Sequence, residues 1–136
     1  MRKVNYSDRT LLELRKLDEA LATLEESAAD NETRQARDSL LLRYVYTFEM
    51  AWQAMRLILA DRGDTETPRV AFSTLETAFV VGMIRDAELW KEMREARNAV
   101  VHAYDEGEAI ALAAFVRSKA LPELKQVATG LRVNGA

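Results

Sequence analysis

Residues 41–59 read LLRYVYTFEMAWQAMRLIL, and the fold turns on this stretch. Leu41, Val45, Phe48, Trp52, Met55 and Leu59 recur at three- and four-residue steps, the spacing of one face of an α-helix. Leu42, Tyr46, Met50 and Leu57 form a second apolar stripe on another side. A helix that is apolar on more than one side is buried between neighbours or covered by another subunit. The periodic stretch extends from about Thr33 to Asp61, and Gly63, able to adopt positive φ, ends it. Tyr44, Phe48 and Trp52 are therefore expected in a core rather than around a cofactor.

Four further helical stretches flank this one. The first runs from about Asp8 to Ala28, with Leu11, Leu14, Leu17, Leu21 and Leu24 on one face and Ser7 in the N-cap position. After the loop Asp64–Thr67, Pro68 suits the first turn of a third helix, which reaches about Val81 and stops at Gly82. Asp86 reads as the N-cap of a fourth helix ending near Tyr104. A fifth follows from about Glu108, bent at Pro122, with a frayed tail after Leu131. The expected architecture is an all-α, up-and-down helical bundle of four to five helices, forming a single domain over residues 1–136.

Composition narrows the function classes. The chain has 136 residues, only 5 Gly and 2 Pro, which argues against a turn-rich β fold. It has no cysteine, which excludes disulfides, thiol nucleophiles and thiolate zinc sites and suits a reducing cytoplasm. With a single histidine, His102, no zinc site is expected, and no cofactor is implied. No apolar run has the length of a membrane span, and the start, MRKVNYS, lacks the hydrophobic stretch of a signal peptide. A net charge of −3 makes the whole chain a poor polyanion binder, so any contact with nucleic acid has to come from a local patch.

The fourth helix offers such a patch. On a wheel stepping about 100° per residue, Leu89, Met93, Ala96, Val100 and Ala103 fall within a sector about 80° wide and are expected to face the bundle. Trp90, Lys91, Arg94, Arg97, Asn98, Val101, His102, Tyr104 and Asp105 fall on the other side. Lys91, Arg94 and Arg97 make a basic stripe, and Trp90 and Tyr104 supply aromatic surface that can stack on a base or meet a partner. Asn98 and His102 are one helical turn apart, Arg97 and Tyr104 are nearly aligned two turns apart, and Arg97 and His102 flank a shallow site. Together these residues can do phosphate chemistry without a metal. His moves protons near neutral pH, Arg stabilises charge building on a phosphorane-like transition state, and Asn fixes the imidazole tautomer or holds a phosphate oxygen. RNA cleavage by its own 2′-hydroxyl needs both a base and an acid. With one His per chain, the mechanism requires a two-fold homodimer along the stripe. The same face also reads as a solvated surface or as a dimerisation surface alone.

The stretch Arg97-Asn98-Ala99-Val100-Val101-His102-Ala103-Tyr104 resembles the Arg-x4-His-x-Tyr signature of HEPN proteins. Tyr46–Gln53, YTFEMAWQ, is similar to the FTFELAWK segment of helical proteins described as nucleotidyltransferase substrate-binding subunits. Met50 and Gln53 depart from it at two places. Pro68-Arg69, Ala78-Phe79, Gly82-Met83-Ile84, Asp86 and Trp90 fall in the order and spacing of that group, and the resemblance covers about Arg37 to Leu131. It implies a dimeric helical bundle encoded with a minimal nucleotidyltransferase: a toxin–antitoxin pair with a metal-independent RNase toxin acting on RNA. By that resemblance Arg97 and His102 are catalytic, Asn98 supports them, and Tyr104 receives AMP from the antitoxin, blocking the site with an anion over Arg97. The alternative it carries is a non-catalytic substrate-binding subunit of a nucleotidyltransferase complex.

Overall fold

The computed structural model describes residues 5–102 and 104–135, with side chains as far as residue 133. Every regular element among them is helical: α1 Asp8–Ala28, α2 Arg34–Asp61, α3 Ala71–Val80, α4 Ala87–Val101, α5 Glu106–Phe115, a π-turn Val116–Ala120, and α6 Leu121–Gly135. α5, the π-turn and α6 follow one another without a break, so the chain forms five helical rods. The all-α expectation holds.

α2 is the central rod and touches α1, α3, α4, α5 and α6. Its first stripe explains this: Leu41, Phe48, Trp52, Met55 and Leu59 are all buried, and Val45 is half-buried. The second stripe is covered at one end only. Leu57 is buried, Met50 half-buried, and Leu42 and Tyr46 are exposed beside α1. Leu14, Leu17, Leu21 and Leu24 of α1 complete that side of the core, while Leu11 is exposed and Thr10 takes its place inside. The Thr10 hydroxyl donates to Asp61 Oδ2 at 2.7 Å, and the Ser7 backbone N–H donates to the same oxygen at 3.0 Å. The end of α2 thus sets a carboxylate at the N-terminus of α1, where the helix dipole favours a negative charge.

The helix ends follow from their cap residues. Ser7 Oγ accepts from the Thr10 N–H, Thr33 Oγ1 from Ala36, Asp86 Oδ1 from Leu89 and Asp105 Oδ1 from Glu108. Gly63 (φ 95°) and Gly82 (φ 84°) each close a Schellman motif. In these, Asp64 N–H donates to Leu59 O and Gly63 N–H to Ala60 O, and Met83 N–H donates to Ala78 O and Gly82 N–H to Phe79 O.

Several boundaries differ from the sequence reading. α3 begins at Ala71 rather than around Pro68, because the Asp64 carboxylate accepts from the N–H groups of Glu66 and Thr67 and holds the loop, and Val70 is extended. α4 stops at Val101, not Tyr104: His102 has ψ 170°. α5 starts at Glu106, capped by Asp105, so Gly107 lies inside its first turn. Near Pro122 the helix widens instead of bending apart. Leu121 N–H reaches Val116 O, five residues back, ahead of the proline that has no N–H to give. Nor does the tail fray after Leu131, for α6 runs to Gly135. Leu131 is buried, its carbonyl accepts from the Tyr6 hydroxyl at 2.7 Å, and Arg132 pairs with Asp18 of α1.

α4 is held on α2 by aromatic packing and one buried hydrogen bond. The rings of Tyr44 and Phe48 are 6.2 Å apart, and those of Phe48 and Trp90 are 6.1 Å apart, both tilted. The Tyr44 hydroxyl donates to Met93 O at 2.6 Å. Its burial pushes the phenol pKa far up, so it remains a neutral donor. Tyr44→Phe is expected to lower stability by about 1 kcal/mol in urea unfolding with the m-value unchanged. An unshifted midpoint would show that this bond does not anchor α4.

Candidate functional site

The residues singled out in the sequence lie on α4 and the short linker after it. The wheel division of α4 needs correction. Met93 and Ala96 are buried and Leu89 and Val100 half-buried, as read, while Ala103 falls outside the described residues. Trp90, assigned to the open face, is 1% exposed. It packs on Phe48, and its Nε1–H donates to Glu123 Oε2 at 2.8 Å. A base-stacking or partner-contacting role for Trp90 is therefore excluded by burial. The physical reason is that Trp90 and Arg97, seven residues apart, lie within about 20° of each other, both toward the bundle. The inward sector includes them, so the two faces are not cleanly divided.

This splits the basic stripe. Lys91 is exposed, and the Arg94 guanidinium sits 5.1 Å from the Phe72 ring centroid. Both line a groove of about 340 Å³ between α3 and α4 with Phe72, Phe79 and Val80. Arg97 turns the other way, toward α2. Its Nε lies 3.3 Å from Glu49 Oε1 without hydrogen-bond alignment, and its guanidinium carbon is 5.6 Å from the Phe48 ring centroid. Trp52 Nε1–H donates to Glu49 Oε2 at 2.9 Å and so aims that carboxylate. With both side chains of the pair part-exposed, the ion pair itself contributes about 0–1 kcal/mol. Together with the Phe48 ring it turns Arg97 toward α2.

His102 is exposed just past the last turn, joined to Asn98 through its backbone N–H, which donates to Asn98 O at 3.1 Å. Because the helix has ended, the wheel relations of Arg97 to His102 and to Tyr104 do not apply. Tyr104 lies in the linker. Its hydroxyl donates to Asp38 Oδ1 of α2 at 2.9 Å, and the burial of the ring together with that carboxylate raises the phenol pKa. The two line a polar recess of about 190 Å³ with Arg34, Arg37, Asp105 and Glu106, so the cations next to Tyr104 come from α2. Arg37 is buried and reaches Glu106 at 3.2 Å and Glu32 at 3.8 Å. Arg117 Nη1 lies 3.4 Å from Glu32 as well, so this network fastens the start of α2 to the start of α5 and to the π-turn that follows it.

Sequence reasoning missed Glu49 and Asp38. Glu49 carried a signal, standing three residues before Trp52 in the quoted motif. Asp38 carried none, since its partner is 66 positions away. Among the described residues no three His, Asp or Glu side chains gather as a metal site, and no helix is long and apolar enough to cross a membrane.

Residues 12–133 match the family described as nucleotidyltransferase substrate binding protein like. The chain belongs to that family. It is also similar to the crystal structure of a protein from Thermus thermophilus, with 31% identity and a TM-score of 0.77 over 85% of this chain and 98% of that one. No curated protein matches the chain.

The corrected place of Trp90 is testable. Trp90→Phe removes the bond to Glu123 and some packing and is expected to cost about 1–2 kcal/mol in urea unfolding. An unshifted urea midpoint would restore the surface role.

Proposed function

We propose that this chain is the protein substrate of a minimal nucleotidyltransferase, which attaches AMP to Tyr104, and that the unmodified homodimer is a metal-independent endoribonuclease. The observation that carries the reading is the arrangement at the end of α4. An oriented arginine (Arg97), an exposed histidine (His102) and a hydrogen-bonded tyrosine hydroxyl (Tyr104) stand within eight residues of one another. Membership of a family named for nucleotidyltransferase substrate binding supports the choice of partner.

In this reading the RNA 2′-oxygen attacks the adjacent phosphorus, and the bond to the 5′-oxygen breaks, leaving a 2′,3′-cyclic phosphate. His102 of one protomer takes the 2′-proton and His102 of the other protonates the leaving oxygen, which is why a two-fold dimer is part of the proposal. Arg97 stabilises the charge on the phosphorus oxygens, and Asn98 supports the imidazole. Lys91 and Arg94, in the groove between α3 and α4, supply phosphate contacts or a partner surface. AMP on Tyr104 adds a bulky anion two positions from His102 and blocks the approach of RNA. The compartment is the cytoplasm, where RNA and ATP are both present.

A second reading has one observation in its favour. Arg97 is already neutralised by Glu49, which suits a non-catalytic subunit that holds or positions the nucleotidyltransferase. The two separate cleanly. Purified chain incubated with tRNA in EDTA is expected to cleave it, with Arg97→Ala and His102→Ala each losing about 10²–10⁴-fold. Full activity in both variants would sink the catalytic assignment. Absence of cleavage by the wild type, with tight co-purification of the nucleotidyltransferase, would establish the second reading.

A further inference from the structure

The Tyr104 hydroxyl, the Asp38 carboxylate and two guanidiniums share one small recess at the surface. Asp38 is exposed, and its one hydrogen bond among the described residues is the one it accepts from Tyr104 at 2.9 Å. Arg34 is largely exposed too and lies 3.9 Å from Glu106, a loose ion pair that leaves its other donors available. Arg37, buried beneath, fixes the start of α5 and with it the backbone beside Tyr104. A hydroxyl within hydrogen-bond reach of a carboxylate, with cations next to it, is the arrangement that activates an oxygen nucleophile toward phosphorus. Neither Asp38 nor Arg34 belongs to the Arg97–His102 set.

We propose that Asp38 orients the Tyr104 hydroxyl and takes its proton when the nucleotidyltransferase transfers AMP to it, with Arg34 receiving the new phosphodiester. This rests on the reading of Tyr104 as the acceptor. In the step, Tyr104 Oη forms a bond to the α-phosphorus of magnesium–ATP held by the nucleotidyltransferase. The bond from that phosphorus to the bridging oxygen breaks, and magnesium pyrophosphate leaves. The phenol proton, made acidic as the O–P bond forms, passes to Asp38 and from there to water, since the carboxylate is exposed. The single negative charge of the phosphodiester then lies beside Arg34. A carboxylate that takes a phenol proton only in the transition state contributes about 10²-fold or more.

The raised pKa of Tyr104 makes the test a sharp one, because two accounts predict opposite signs. Burial of the ring and, after it, Asp38 hold that phenol protonated, so Asp38→Asn relieves only part of the upward shift. Were phenolate content the only requirement, Asp38→Asn would be modified faster. If the proton goes to Asp38, the variant is slower. The other charged groups facing Tyr104 are Arg34 and Arg37 from α2 and Asp105 and Glu106 from the start of α5, with His102 two positions before it, and all are kept in the variant.

The experiment follows incorporation of label from α-³²P-ATP into the full-length chain by its nucleotidyltransferase, at saturating chain and as a function of pH. Tyr104→Phe serves as the blank. The proposal expects Asp38→Asn to lose about 10²-fold in maximal rate near neutral pH, with half-saturation unchanged and the deficit shrinking as pH rises and hydroxide takes the proton. Asp38→Glu is expected to recover part of the rate, and Arg34→Ala to be slowed at every pH. Equal or faster labelling of Asp38→Asn, or a change confined to half-saturation, overturns the proposal while leaving Tyr104 as acceptor. Labelling of the wild type that persists in Tyr104→Phe, or none in the wild type, overturns the acceptor reading itself and this proposal with it.

Discussion

The hydroxyl of Tyr44, buried and 2.6 Å from the carbonyl of Met93, sets where α4 lies on α2. Around it the rings of Tyr44, Phe48 and Trp90 pack in sequence, so the register of the two helices is fixed by shape and by one directional bond. Everything of functional interest depends on that register. It brings Arg97 to Glu49 one turn beyond Val45, and it delivers the chain after Val101 to the start of α2, where Asp38 meets Tyr104. A slip by a turn would separate both pairs at once.

The charges around the site are arranged to orient rather than to attract. Arg97 is paired with Glu49, which Trp52 aims, and Arg37 and Arg117 are both tied to Glu32. Lys91 and Arg94 lie apart from these, toward α3. The chain therefore presents separated small clusters in place of one basic stripe, in keeping with a net charge of −3. Specific placement of single groups, more than a general affinity for phosphate, is what such a surface offers a partner.

Much of the fold was legible because its signals are local. Ser7 and Asp86 cap their helices through their own side chains, Gly63 and Gly82 take the positive φ that ends two others, and the α2 stripe is a matter of spacing. What could not be read depends on contacts across the bundle. Trp90 is drawn inward by Phe48 and by Glu123, 33 residues away, so a wheel centred on aliphatic residues misjudges its side. The end of α4 at Val101 was hidden because residues 102–104 still suit a helix, while Asp105 goes on to cap α5. Arg97, Asn98, His102 and Tyr104 were singled out by their spacing and by the family resemblance, yet the partners Glu49 and Asp38 come from α2, and no spacing rule reaches that far.

In the proposed function a central helix holds α4 and the linker beyond it, the end of α4 carries the reactive residues, and a tyrosine hydroxyl at the surface is the group another enzyme modifies. Whether the chain is the substrate of a nucleotidyltransferase is measured by intact-mass and peptide analysis of the chain expressed alone and together with a minimal nucleotidyltransferase. The account predicts whole AMP units added only in co-expression, with the first attached to Tyr104. An unmodified chain that nonetheless co-purifies with the enzyme would contradict it.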